Sequence, residues 1–149
     1  MDINRILVAV NSLNSREVAF ERALVLASSM GAELYVLHAV PASERFSFGA
    51  PERLQRMADM RQRAEDAGVG VQTVEQHGDP AEIIELHANA RQVDLIVMGG
   101  EPRRGWGRRS SVADRVIRQH GGRIGVESTP GRGTTFTVAL PLWHNESRH

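Results

Sequence analysis

The 149-residue sequence contains no cysteine and no lysine, and only 5% of its residues are aromatic. Without cysteine the chain has no disulfide bond and no thiolate metal ligand, so a cytoplasmic protein is the expectation. Without lysine it has neither a P-loop lysine nor a Schiff-base amine. The 18 basic residues, all arginine, balance 18 acidic residues. A formal charge of zero argues against a dedicated nucleic-acid binder.

Long apolar runs are absent too, so we expect no membrane-spanning segment. A content of 41% hydrophobic and 24% charged residues is typical of a globular protein. The length suits one hydrophobic core and not two ordinary domains. We therefore expect a single domain over residues 1–142, followed by a polar tail, residues 143–149, that frays.

Short apolar segments alternate with amphipathic ones along most of the chain. This alternation predicts an α/β fold whose parallel strands are joined by right-handed helical crossovers. Ligands bind such sheets beyond the carboxyl ends of the strands, here after Val10, Val40 and Met98. Strands are predicted at residues 5–10, 33–40, 69–75 and 94–98, and helices at 14–31, 54–68, 79–90 and 110–119. In the second helix the predicted apolar face is Leu54, Met57, Ala58, Arg61 and Ala64, and Met57 and Met60 are expected to pack in the core or in a dimer contact.

Four segments together resemble the universal stress protein family. They are ILVAVN (residues 6–11), ELYVLHAV (33–40), HGDPAEIIELHANARQVDLIVMGG (77–100) and SSVADRVI (110–117). The third is the most specific, because a Gly-Asp-Pro helix start, a buried strand and a glycine turn follow in order. The resemblance implies a Rossmann-like, open, five-stranded parallel sheet with helices on both faces. It also implies a homodimer that pairs through the last strands.

ATP-binding members of that family carry a glycine loop after the fourth strand, where backbone N–H groups approach phosphates. In this chain Gly99 matches the first glycine of the loop. Pro102, which has no N–H to donate, stands in the place of the second. Ser110 replaces the last glycine, and Ser111 and Val112 match the closing positions. The loop keeps part of the motif and departs from it at several positions.

The resemblance also implies an acidic residue after the first strand, where this chain has Asn11. An asparagine can hydrogen-bond to a ribose or an adenine but cannot act as a charged acceptor. Two interpretations stay open: a shell for ATP, with Mg²⁺ if it is bound, or strand ends and a helix cap without ligand. Carried over residue by residue, the shell is Ala9, Val10, Asn11, Val40, Met98, Gly99, Ser110, Ser111 and Val112.

The loop after the fourth strand is rich in arginine around Trp106. Arg103 and Arg104 could pair with phosphate oxygens and compensate for the lost glycines, or they could bind another anion. The alternative is a solvated loop without ligand. RNA binding is not favoured, because no second basic or aromatic patch accompanies this one.

Residues 120–142 resemble the last β-hairpin of a sensor histidine kinase ATP-binding domain. Residues 123–127 could supply the fifth strand, residues 128–133 a turn, and residues 134–140 an added, half-exposed strand. The kinase motifs that hold Mg-ATP and a phosphoacceptor motif at His120 are not present, so we expect no autokinase activity. The added hairpin could strengthen, swap or block the dimer contact.

No other pattern carries chemistry of its own. The six histidines lack metal-ligand spacing, so no metal site is expected, and no catalytic residue is predicted. His38 is expected to be a hydrogen-bonded core or rim residue, Asp79 a helix cap and Asp94 the start of a strand. The resemblance to the universal stress protein family implies a dimeric stress-response regulator, and we expect it to act by binding rather than turnover. The alternatives are an ATP-binding switch, at most a slow ATPase, and a nucleotide-free module that docks a two-component partner through the hairpin.

Overall fold

The computed structural model describes residues 3–10, 18–40, 50–100, 123–129 and 133–139. Strands and helices alternate through the first hundred residues, as the sequence predicts, and two further strands follow. The elements in chain order are β1 (Arg5–Val10), α1 (Val18–Met30), β2 (Glu33–Val40), α2 (Ala50–Asp66), β3 (Val71–His77), α3 (Pro80–Arg91), β4 (Leu95–Gly100), β5 (Arg123–Thr129) and β6 (Gly133–Ala139).

The six described strands lie in one sheet, in the order β3-β2-β1-β4-β6-β5. The first four strands are parallel to one another. The chain therefore moves outward from β1 through β2 to β3, and then returns to place β4 on the other side of β1. This reversal creates a topological switch point between β1 and β4.

The expectation of five parallel strands is wrong, because the described part of the chain has four. The strand beside β4 is β6, and it runs antiparallel to β4 along all six positions from Leu95 to Gly100. β5 pairs antiparallel with β6 on the outside, so it is not the fifth strand next to β4. Only residues 130–132 join the two strands, and a parallel connection needs a crossover of about a dozen residues. Either strand of an antiparallel pair can lie beside β4, and chain order does not decide which one does.

The helices cover both faces of the sheet. The crossovers from β1 to β2 and from β2 to β3 move in one direction along the sheet, whereas the crossover from β3 to β4 moves in the opposite direction. Because such connections are right-handed, α3 lies on the face of the sheet opposite to α1 and α2. Phe20, Met60 and Ala64 from α1 and α2 form one buried cluster with Ile6 and Val97 and further strand residues. On the opposite face a second cluster joins α3 to the sheet, with the fully or nearly buried residues Leu7, Leu37, Ile83, Ile84, Ala88, Val93, Ile96 and Met98.

The buried face of α2 differs from the predicted one. Met57, Met60 and Ala64 are buried, which confirms core packing for both methionines. Leu54 is 64% exposed, and Ala58 and Arg61 also face solvent. The prediction was wrong because positions 57, 60 and 64, spaced three and four apart, define one helical stripe, whereas 54, 58 and 61 lie beside it.

The three helices in the described part of the chain end in the same left-handed turn. Gly31 and Gly68 follow α1 and α2 with φ of 66° and 76°, whereas Gln92 follows α3 with φ of 50°. After α2, the N–H of Val69 donates to the carbonyl of Ala64 at 2.9 Å. This hydrogen bond gives a donor to a carbonyl group in the last turn of the helix, where carbonyl groups have no partner within the helix.

Candidate functional site

The candidate site lies where β1 and β4 end side by side. Ala9 is paired with Met98 in the parallel register, so Val10 and Gly99 continue the two strands at the same edge of the sheet. The side chains of Ala9 and Met98 pack with the α3-side cluster, whereas Val10 packs with the cluster on the α1 and α2 side. The structure thus brings together four residues of the predicted shell at the switch point.

Val40 ends the neighbouring strand, β2, and its side chain is fully buried. Its carbonyl oxygen accepts a hydrogen bond of 2.9 Å from the N–H of Gly78. Val10 is paired with His38, so Val40 extends two residues further along the sheet than Val10. Val40 therefore belongs to the same edge, one strand away from the switch point.

Six predicted site residues lie outside the described part of the chain. They are Asn11, Arg103, Arg104, Ser110, Ser111 and Val112. Residues 14–17 of the first predicted helix and the whole helix predicted at residues 110–119 lie outside it as well. Their roles stay predictions.

Sequence reasoning did not place any residue of the C-terminal segment at this edge. In the antiparallel register Thr135 is paired with Gly99 and Thr134 with Gly100. The start of β6 therefore lies at the carboxyl end of β4, next to the glycine pair. The signal available in the sequence was the short connection before residue 133, which requires that β5 and β6 run in opposite directions.

A buried polar pair lies one strand further out. Nδ1 of His38 donates to Oε1 of Glu75 at 3.1 Å, and the side chain of His38 is only 3% exposed. This contact links β2 to β3, whose residues 38 and 75 are register partners. The prediction that His38 is a hydrogen-bonded core residue is confirmed.

A second histidine, His87 of α3, lies against the outer strand β3. Its Nε2–H donates to Oε1 of Gln76 at 2.8 Å. Partial burial lowers the pKa of His87 below its ordinary value of 6.5, and the nearby charge of Arg91 lowers it further. Both causes disfavour the charged ring, so the hydrogen bond belongs to the neutral form.

At the opposite edge of the sheet, the carboxylate of Asp94 connects the start of β1 to the start of β4. Oδ2 of Asp94 accepts hydrogen bonds from the backbone N–H groups of Asn4 at 2.9 Å and Arg5 at 3.1 Å. The N–H of Asp94 donates to the carbonyl of Arg5 at 2.8 Å. Sequence reasoning expected only the start of a strand at Asp94. The residue instead ties the start of β1 to the start of β4, at the amino edge and far from the candidate site.

The described residues at the switch point carry no group that titrates. The four residues brought together there are an alanine, a valine, a methionine and a glycine. In the neighbouring strands His38 and Glu75 are hydrogen-bonded to each other. Within the described residues no group of histidine, aspartate and glutamate side chains is suited to hold a metal ion. Across the same residues, no helix has the length and apolar character needed to span a membrane.

Comparison with known families gives a match over most of the chain. The model of the universal stress protein family matches residues 2–120. A universal stress protein from Burkholderia pseudomallei superposes with a TM-score of 0.57 at 26% identity, over 78% of this chain and 89% of that one. The universal stress protein from Archaeoglobus fulgidus in complex with dAMP superposes with a TM-score of 0.58 at 23% identity, over 80% and 93% of the two chains.

A sequence relative of a different kind matches a short stretch. The adaptive-response sensory kinase SasA of Parasynechococcus marenigrum (strain WH8102) is 43% identical over 44 residues, which is 30% of this chain. Those residues make up only 12% of the kinase. The match confirms that the C-terminal segment of this chain resembles part of a sensor histidine kinase.

Proposed function

The chain belongs to the universal stress protein family, and on that premise we propose that it is a regulatory protein that acts by binding an adenine nucleotide. The nucleotide site is the edge formed by the carboxyl ends of β1 and β4. Binding rather than turnover is favoured, because the described residues at the switch point, an alanine, a valine, a methionine and a glycine, supply neither a nucleophile nor a general base.

The observation that carries this proposal is the position of the switch point. In open α/β sheets ligands bind in the crevice outside the carboxyl ends of the strands, where the strand order reverses. Here that crevice lies between Val10 and Met98, and Gly99 follows directly. The structure of a relative with the same fold is a complex with dAMP, which supports an adenine nucleotide as the ligand class.

Each part of the edge has a proposed task. Val10, Asn11 and Val40 contact the nucleoside, and Ala9 and Met98 set the spacing of the two strands. Gly99 lets the backbone approach the phosphates, since it has no Cβ. Ser110, Ser111 and Val112 close the loop at a helix start, where backbone N–H groups favour anions. Arg103 and Arg104, which follow Pro102, supply charge that compensates for the lost glycines.

The test is isothermal titration of the purified protein with ATP in the presence of Mg²⁺, and with dAMP. We expect saturable binding at one site per chain. The double variant Arg103→Ala/Arg104→Ala should weaken ATP by roughly ten- to hundredfold, since hydrogen bonds to charged groups are lost. Ser111→Ala and Gly99→Val should weaken both nucleotides.

Arg61→Ala is the matched control. Arg61 is an exposed arginine of α2, with 57% of its side chain accessible, so its loss removes a charge without touching the edge. Its affinity should equal that of the wild type. No saturable heat with either nucleotide would contradict the proposal, and so would equal losses in Arg61→Ala and the double variant.

A second candidate function is favoured by the C-terminal strand pair. β5 and β6 extend the sheet beyond the parallel strands, and β5 lies at its border. We propose that residues 1–142 form one domain and that this border is the contact surface for other proteins. The first partner is a second copy of the chain, in a homodimer; a two-component kinase is the alternative partner. Sedimentation of the purified protein tests the homodimer, and a monomer at all concentrations would contradict it.

A further inference from the structure

Val40, the last residue of β2, is held at the carboxyl edge of the sheet from the β3 side. The register between β1 and β2 ends at Val10 and His38, whereas the register between β2 and β3 continues to Val40 and His77. One residue further along the chain, the N–H of Gly78 donates to the carbonyl oxygen of Val40 at 2.9 Å. This hydrogen bond extends the ladder between the two strands by one residue and fixes the end of β2.

The chain turns from β3 into α3 at Gly78. On one side His77 is the last residue of β3, and on the other side Asp79 caps α3, with its carboxylate accepting from the N–H of Glu82 at 3.1 Å. A single residue therefore separates a strand from a helix cap. Gly78 makes this turn with φ of 147°, a conformation that residues with a side chain rarely adopt.

A side chain at position 78 would also meet Ile83. An added Cβ would lie 3.2 Å from Cδ1 and 3.7 Å from Cγ1 of Ile83. The first distance is shorter than ordinary van der Waals contact between carbon atoms. Ile83 is only 5% exposed and packs in the α3-side cluster, so its side chain has little room to move. Strain and crowding together would shift residue 78, and the hydrogen bond to Val40 would lengthen with it.

We propose that Gly78 is a positioning residue of the nucleotide site, because its N–H holds the end of β2 where Val40 contacts the nucleoside. This role rests on the adenine-nucleotide site proposed above and extends that site to a residue outside the predicted shell. Gly78 acts through Val40 and not by contact with the nucleotide.

The effect belongs to the nucleoside end of the ligand. Val40 ends β2, whereas Gly99, where the phosphates are proposed to bind, continues β4 on the far side of β1. A shift at Val40 should therefore weaken AMP and ATP by the same factor, since both carry adenosine. The double variant Arg103→Ala/Arg104→Ala should instead weaken ATP more than AMP. The ratio of the two dissociation constants thus separates the two parts of the site.

Gly78→Ala tests the role. Isothermal titration should show dissociation constants for AMP and ATP that rise by the same factor, about three- to tenfold, as expected when one neutral hydrogen bond is lost. Gly68→Ala is the matched control, because Gly68 also has a positive φ, of 76°, and follows α2 at the amino edge, with nothing within 4 Å of an added Cβ. Its affinities should equal those of the wild type. Circular dichroism checks that both variants are folded.

Amide hydrogen exchange of the wild-type protein gives a second readout that needs no substitution. Saturating AMP should slow exchange at Gly78 by about threefold or more, because the nucleoside holds Val40 and with it the hydrogen bond from Gly78. The amide of Gly68, whose N–H donates to the carbonyl of Glu65 at 3.0 Å, is the internal control and should change less.

A wild type without saturable binding would overturn the nucleotide site and the role of Gly78 together. If the wild type binds, affinities in Gly78→Ala equal to those in Gly68→Ala would overturn the positioning role and leave the site standing. A loss for ATP that exceeds the loss for AMP would also overturn the role, and so would equal slowing of exchange at Gly78 and Gly68. If Gly78→Ala does not fold, the exchange experiment alone decides.

Discussion

Asp94 shows how one buried side chain can hold two distant parts of the chain together. Its carboxylate accepts hydrogen bonds from the backbone of Asn4 and Arg5, about ninety residues earlier. We expect Asp94→Ala to lower the free energy of unfolding by about 2–4 kcal/mol, since charged hydrogen bonds are lost and backbone donors are left open. Urea denaturation measures the change.

Asp94→Asn is the matched control, because it keeps one side-chain oxygen as acceptor, removes the charge and replaces the other oxygen with an NH2 group. Its loss of stability should be smaller than that of Asp94→Ala. Nucleotide affinity of the folded variants should be unchanged, since Asp94 lies at the amino edge of the sheet. A loss of affinity with unchanged stability would show that Asp94 belongs to the binding site and not to the fold.

His87 makes stability depend on pH. Its pKa in the folded protein is lowered by burial and by Arg91, so the unfolded chain binds the proton first as the pH falls. The protein should therefore lose stability as the pH falls below about 6.5, through the unfolded pKa toward the lower folded one. In His87→Gln this component should be absent. Thermal unfolding of both proteins between pH 5 and 8 measures it, and equal pH slopes would contradict the account.

At the scale of elements, the residues that follow α2 and α3 lead to two predictions of opposite sign for stability. Gly68 and Gln92 occupy the same left-handed position after α2 and α3. Gly68→Ala should destabilise the protein by about 1 kcal/mol through backbone strain alone, since nothing lies within 4 Å of the added Cβ. Gln92→Gly should stabilise it by up to about 1 kcal/mol for the converse reason. Denaturant unfolding compares both with wild type, and the same sign for the two changes would contradict the assignment.

Most elements could be predicted because their signals are local. β1 and β2 lie at the predicted residues, since each is a short apolar run bounded by polar residues. Asp79 caps α3 as expected, with its side chain accepting from the N–H of Glu82 at 3.1 Å. β3 begins at Val71 and not at Val69, because the N–H of Val69 donates back to α2.

The arrangement of the last strands could not be predicted in the same way. Their existence follows from alternation and turn residues, which are local. Their order beside β4 depends on pairing across the sheet. β5 and β6 have the same length, so strand length does not decide which of them pairs with β4. The same limit applies to Thr134 and Thr135, whose positions at the carboxyl edge follow only from the observed register.

At the scale of the whole molecule, segments that resemble two families share one sheet. The stress-protein part supplies the four parallel strands and the switch point. The kinase-like part supplies β6, which covers the open side of β4, and β5, which forms a new border. The nucleotide site proposed at the carboxyl edge and the dimer contact proposed at β5 therefore belong to different parts of the same sheet.

The central claim is that an adenine nucleotide binds where β1 and β4 end. The most direct test is a titration of the isotopically labelled protein with ATP, followed by amide-resolved nuclear magnetic resonance. The account predicts saturable shifts at Val10, Met98 and Gly99, and unchanged amides at Arg5 and Asp94 at the other end of the sheet. Shifts confined to Arg5 and Asp94, or no saturable shift at any amide, would contradict it.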